Sequence, residues 1–133
     1  LRHRFTQAMM AVGSSPNRFG TLISTAAYLQ GEDWLEGLLD YLDGNRRLFD
    51  AGIQQIPSLR SMPLEATYLA WVNFADTGLS PQQVIDKVQK EAGIATSYGS
   101  TFGKGGETYL RFNLATPRSR IEQALERLQA AFS

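Results

Sequence analysis

Tyr109-Leu110-Arg111-Phe112-Asn113-Leu114-Ala115-Thr116-Pro117-Arg118 decides how this chain folds, because it sets a cation into an apolar run that ends at a helix start signal. A strand points successive side chains to opposite faces. Leu110, Phe112 and Leu114 therefore share one face, and Tyr109, Arg111, Asn113 and Ala115 share the other. The first face needs a core to cover it. The second carries a guanidinium whose planar, paired donors match a carboxylate or a phosphate. Spacing alone leaves Arg111 open to two readings: a solvated surface arginine, the commoner case, or an anion grip on a rigid strand. Thr116 and Pro117 read as the cap and first residue of a final helix, with Ile121, Ala124, Leu125, Leu128 and Phe132 as its apolar stripe.

Upstream of this stretch, Thr67 to Phe74 is rich in aromatic and branched residues and reads as a strand, with Tyr68, Trp71 and Phe74 taken as core rather than as a ligand stack. Ser80-Pro81-Gln82-Gln83 announces a helix through a serine cap, a proline at the first position and a glutamine placed for a capping box. Val84, Ile85 and Val88 form its buried side, and Gly93 stops it. Ile94 to Ser97 makes a short strand. From Thr67 the order is strand, helix, strand, strand, helix. That order predicts an α+β, two-layer sheet-and-helix domain over residues 58–133.

Helices precede it. Phe5, Met9 and Met10 pattern one, and Leu22, Ile23, Ala26 and Ala27 a second, with Ser15 as its expected cap and Pro16 as its first residue. A longer helix over 31–57 carries the drifting stripe Trp34, Leu35, Leu38, Leu39, Leu42, Phe49, Ile53 and Ile56, and Pro57 ends it. About 24 residues at 1.5 Å per residue reach roughly 36 Å, enough to connect two domains or to serve as one long core helix.

The 133 residues, 43% of them hydrophobic, suffice for one core, or for a small domain and a piece of another. Thirteen basic side chains balance thirteen acidic ones, so no overall field recruits nucleic acid or an anionic membrane. Anion recognition must be local. There is no cysteine, which removes disulfides, thiolate metal sites and a cysteine nucleophile, and which fits a cytoplasmic setting. No apolar run approaches the roughly 20 residues of a membrane span. Leu1-Arg2-His3-Arg4 does not begin a secretory signal, and the absence of a starting methionine reads as part of a longer protein.

His3 is the only histidine, so neither a histidine triad nor a two-histidine metal site can be assembled, and no metal site is assigned. Glu32, Asp33, Glu36, Asp40 and Asp43 read as the solvated side of the long helix. Lys87, Lys90 and Lys104 lack the desolvated setting of a nucleophilic lysine, and no residue is assigned as catalytic. Gly99-Ser100-Thr101-Phe102-Gly103-Lys104-Gly105 approaches a P-loop but has one residue too few between glycines and no Ser or Thr after the lysine, and a strand follows it. It is either a tight connection or a loop beside Arg111 that moves over a ligand.

Glu65-Ala66-Thr67-Tyr68-Leu69-Ala70-Trp71, Gly93-Ile94-Ala95, Gly99-Ser100-Thr101-Phe102-Gly103 and Leu110 to Arg118 resemble, in order, the C-terminal part of class I/II (fold type I) pyridoxal-phosphate-dependent aminotransferases, nearest the MalY/PatB cystathionine beta-lyase branch of carbon–sulfur lyases. Ser15 to Gly20, Ala26-Ala27-Tyr28 and Trp34-Leu35 resemble the end of that family's large domain and its connecting helix. The resemblance implies residues 1–30 as the last helices of the large domain, 31–57 as the connecting helix and 58–133 as the C-terminal small domain. It implies that Arg111 binds the α-carboxylate of an amino-acid substrate, with Tyr98, Gly99 and Phe102 as a substrate loop. It also implies pyridoxal 5'-phosphate in the parent enzyme and a homodimer in which the Ser14 to Asn17 turn lies near the neighbouring subunit's site. The cofactor-holding residues, the lysine among them, would belong to preceding sequence, leaving the isolated chain inactive. The chain departs from the family pattern at Ala66, where glycine is usual, and at Tyr98, where proline is usual. From a different class, a regulatory module that binds an amino acid or organic anion without chemistry would also suit Arg111.

Overall fold

The computed structural model describes residues 1–13 and 15–132. Two compact units divide the chain, 1–38 and 39–133. In the first, α1 (Arg2–Ala11) and α2 (Arg18–Gln30) bury no residue within the chain. The cap of α2 is Asn17 rather than Ser15: its side-chain oxygen accepts from Phe19 N (2.8 Å) and Gly20 N (3.2 Å). An asparagine carbonyl reaches the second and third helical amides, so Pro16 stays outside the helix. Ser14 lies outside the described residues.

Helix α3 (Glu32–Gln54) opens on Glu32 and Asp33, whose charge favours a helix N-terminus. The segment expected as a connector also builds the core. Its later turns and the residues just after them bury Phe49, Ile53 and Ile56, so the second unit starts at Leu39. Four antiparallel strands follow in the order β1-β2-β4-β3: β1 (Arg60–Ser61), β2 (Leu69–Asn73), β3 (Ser97–Tyr98) and β4 (Tyr109–Asn113). The two-residue strand β1 has no sequence signature, and its pairing is imposed by the neighbouring β2. Strand β2 is shorter than the predicted Thr67 to Phe74, because Thr67 takes a left-handed φ of 67° that no strand continues.

Helix α4 (Pro81–Asp86) has the predicted capping box. Ser80 Oγ accepts from Gln83 N, and Ser80 N donates to Gln83 Oε1 at 2.9 Å. The helix relaxes into a π turn over Lys87–Glu91, closed by Ala92 N donating to Lys87 O, and Gly93 at φ 65° ends it. The last helix, α5 (Arg118–Phe132), begins one residue beyond the predicted start.

One face of the sheet is the core face. Ala70 and Val72 of β2 and Leu110 and Phe112 of β4 meet Phe49, Ile53, Val88, Ile121 and Leu128 from the helices. Phe112 packs on Phe49 with centroids 5.4 Å apart, and Phe74 on Phe132 at 5.3 Å. Each such side chain contributes about 1.5–3 kcal/mol on leaving water. The alternation read from Leu110, Phe112 and Leu114 is the one observed, at 3%, 4% and 2% exposure.

A polar hub locks the β4–α5 turn to α3. Asn45, fully buried, donates through Nδ2 to Leu114 O (3.0 Å) and Thr116 O (2.9 Å). Its Oδ1 accepts from Arg118 Nε at 3.2 Å. Arg118 also donates to Tyr41, from its backbone N to the hydroxyl (2.8 Å) and from its guanidinium to the carbonyl (3.3 Å). Gly44 makes room, since a Cβ there would strike that guanidinium.

Candidate functional site

The sheet face turned away from the core gathers the candidate site. Register places Trp71 of β2 and Ser97 of β3 directly opposite Arg111 on either side of β4. Strand alternation keeps all three on one face, so they form a row across three strands. The Arg111 guanidinium donates to Ser97 Oγ at 3.3 Å. The ring of Phe102 lies 4.3 Å from its central carbon, within the range of cation–π attraction. Among the described residues no carboxylate lies within 4.0 Å of the Arg111 guanidinium, whereas Arg46, Arg47 and Arg60 each pair with an aspartate.

Trp71 belongs to this row and not to the core, contrary to the sequence reading. It meets Phe102 edge to face, with centroids 5.2 Å apart at 76°, and Tyr109 at 6.2 Å and 70°. Tyr68 is exposed, and of the three aromatics only Phe74 is buried. The sequence held a signal for this: Asn73 has the same strand parity as Trp71, and a polar residue marks the uncovered face. Asn73 Nδ2 donates to Tyr109 Oη at 3.3 Å, which extends the polar edge of the row.

The loop from β3 to β4 starts with a 3-10 turn, Gly99–Phe102, that delivers Phe102. Gly99 is buried, and a Cβ on it would strike the carbonyls of Gly106 and Tyr109, while one on Gly106 would strike that of Gly99. The two glycines therefore let the loop's ends cross backbone to backbone. Gly103 and Gly105, at φ 126° and 93°, turn the tip. Tyr98, grouped with this loop in the sequence, pairs with Leu110 and donates its hydroxyl to Gln89 Oε1 at 3.0 Å. Its register puts it on the opposite face from Arg111.

None of the three lysines offers a covalent anchor for a cofactor. Lys87 pairs with Glu91, Lys90 with Asp86, and Lys104 is exposed at the loop tip. Asp86 is held below the usual carboxylate range by hydrogen bonds from Lys90 and Gln82. Asp43, on the acidic side of α3, is likewise lowered, chiefly by its hydrogen bond from Arg46. Among the described residues no helix is long and apolar enough to cross a membrane.

The four-stranded antiparallel sheet and the helices that back it match the C-terminal small domain of pyridoxal-phosphate-dependent transferases. The chain matches the C-terminal part of the fold type I family of aminotransferases and carbon–sulfur lyases. It is 28% identical over 134 residues to cystathionine beta-lyase PatB of Bacillus subtilis (strain 168), covering 99% of this chain and 35% of that protein. It is 33% identical over 84 residues to aromatic-amino-acid aminotransferase 2 of Thermococcus litoralis, covering 63% of this chain and 20% of that protein. The crystal structure of cystalysin from Treponema denticola, which contains a pyridoxal 5'-phosphate cofactor, superposes with a TM-score of 0.89 at 30% identity, over 98% of this chain and 34% of that one. No family model matches the chain. The chain spans about a third of the length of PatB and of cystalysin.

Proposed function

We propose that the chain is the C-terminal portion of a pyridoxal-phosphate-dependent enzyme acting on amino acids, of aminotransferase or cystathionine beta-lyase type, in which Arg111 binds the substrate α-carboxylate. The observation that carries the reading is an arginine fixed on a rigid strand, on the open face of a sheet, with no carboxylate partner among the described residues. Such a fork is free to donate two parallel hydrogen bonds to an external carboxylate. In this arrangement residues 1–30 belong to the large domain, 31–57 connect, and 58–133 form the small domain. The cofactor, which supplies an electron sink for bonds at the substrate Cα, would be held by sequence beyond this chain, because no lysine here is placed for it. What this chain contributes is orientation: Arg111 fixes one end of the substrate, which sets the bond to be broken relative to everything else bound.

The enzyme would be a cytoplasmic homodimer, and the 133-residue chain alone inactive. In the full-length enzyme, Arg111→Lys is expected to lose at least about 1.5 kcal/mol of carboxylate binding, because a point charge replaces a two-pronged donor. Unchanged kcat/KM would refute the assignment. A product assay for pyruvate and thiol against keto acid separates lyase from transaminase. A non-catalytic amino-acid-binding module would instead bind its ligand through Arg111 in the isolated chain without cofactor, and calorimetry of the isolated chain tests that directly.

A further inference from the structure

The Arg111 guanidinium is held by Phe102 and Ser97, and Phe102 is in turn backed by Trp71; this bracing carries an inference that rests on the carboxylate-binding reading and deepens it. The Phe102 ring covers one face of the guanidinium at 4.3 Å. Ser97 accepts from one of its edge nitrogens at 3.3 Å. Trp71, directly across the ladder, sets its ring edge to face with Phe102 and is itself packed against Tyr109.

The position of Phe102 is determined from both ends. On its N-terminal side, the Gly99–Gly106 crossing leaves no space for any side chain and pins the root of the turn. On its C-terminal side, Gly103 at φ 126° lets the chain turn away at once, a conformation open to glycine and strained for other residues. What the ring so placed touches is the guanidinium of Arg111, at 4.3 Å, and the ring of Trp71, edge to face.

We propose that Phe102 and Trp71 are positioning residues for carboxylate recognition, with Ser97 as the edge support. A free arginine has several soft torsions and loses that freedom when it grips a ligand. A guanidinium already stacked on one face and hydrogen-bonded at one corner has lost most of it beforehand, so its remaining donors meet a carboxylate with little further ordering. Stacking also fixes the plane of the fork, and with it the plane in which the carboxylate must lie. The aromatic pair thus sets how the substrate is oriented.

The test uses the full-length enzyme and two competitors of the normal substrate: L-alanine, and ethylamine, which is the same amine without the carboxylate. The preference for L-alanine over ethylamine reads the carboxylate grip alone. Phe102→Leu is expected to erode that preference about fourfold, the range of an exposed cation–π contact, raising KM more than it lowers kcat. Phe102→Tyr restores it, since the ring face is kept. Trp71→Leu, which removes the brace and leaves Phe102 in place, is expected to erode it about threefold. If Phe102→Leu and Trp71→Leu weaken both competitors equally, or neither, while Arg111→Lys erodes the preference, the bracing role is overturned and the carboxylate reading stands. If Arg111→Lys also leaves the preference intact, the carboxylate reading falls and takes this inference with it.

Discussion

Arg111 and Arg118 stand seven positions apart at the two ends of one strand-to-helix turn, and they are committed in opposite ways. Arg118 gives its donors to the protein: Asn45 Oδ1, the Tyr41 carbonyl and, through its backbone, the Tyr41 hydroxyl. Arg111 is stacked on a ring and touched by one hydroxyl, and no carboxylate among the described residues meets it. The difference teaches where to look for function in a chain with ten arginines. Arg118 spends guanidinium donors on carbonyls of the fold, whereas Arg111 keeps donors unspent, as the proposed carboxylate grip requires. The same contrast explains why the final turn can be rigid and the site beside it still open.

The comparison breaks most readily at the closed end. Asn45→Ala removes both donors to the buried Leu114 carbonyl and the part-buried Thr116 carbonyl and strands Arg118 Nε, so it is expected to cost about 3 kcal/mol in urea unfolding of the chain. A cost under about 1 kcal/mol would mean the hub does not hold the turn. Arg118→Lys should cost about 1 kcal/mol by the same measurement, since an ammonium cannot reach Asn45 and the Tyr41 carbonyl together. In the full-length enzyme it should leave the L-alanine to ethylamine preference where it was, whereas Arg111→Lys shifts it. Equal shifts from both arginines would erase the distinction drawn here.

The smallest effect concerns a third environment, the exposed pairing of Asp43 with Arg46 and Arg47. The folded carboxyl is lowered from its ordinary value of 3.8, chiefly by the Arg46 hydrogen bond. Its stabilisation is therefore complete above that value and is lost as pH falls through the lowered folded one. Asp43→Asn should flatten the acid side of a thermal-melting profile slightly and leave neutral pH nearly unchanged; an effect confined to neutral pH would contradict the pairing.

Much of this architecture was legible in the amino-acid order wherever the determining interaction is local. The two faces of β4 follow from a period of two, and the Ser80–Gln83 box from residues three apart. The hub was not legible, because Asn45 finds its partners 69 and 71 positions away, and nothing near an asparagine in a helix announces that. Trp71 was misplaced for a different reason. An aromatic in a strand states that it packs, but not on which face, and here it packs on a loop phenylalanine over the open side. The sequence puts Phe102 in a loop beside Arg111 but not its ring on the guanidinium, since such stacking leaves no pattern in spacing.

The crossing of Gly99 and Gly106 makes the intervening stretch a cassette. Its two ends meet main chain to main chain, and between them Gly103 and Gly105 turn the tip, so side chains can vary at the other four positions while the ends stay where they are. Lineages sharing this scaffold could therefore exchange the contents of the cassette, lengthen its tip or replace the ring at position 102 without renegotiating the sheet. For the protein engineer the same property offers a graft site of defined boundaries, at which loop sequence can be varied in libraries with the rest of the domain held fixed.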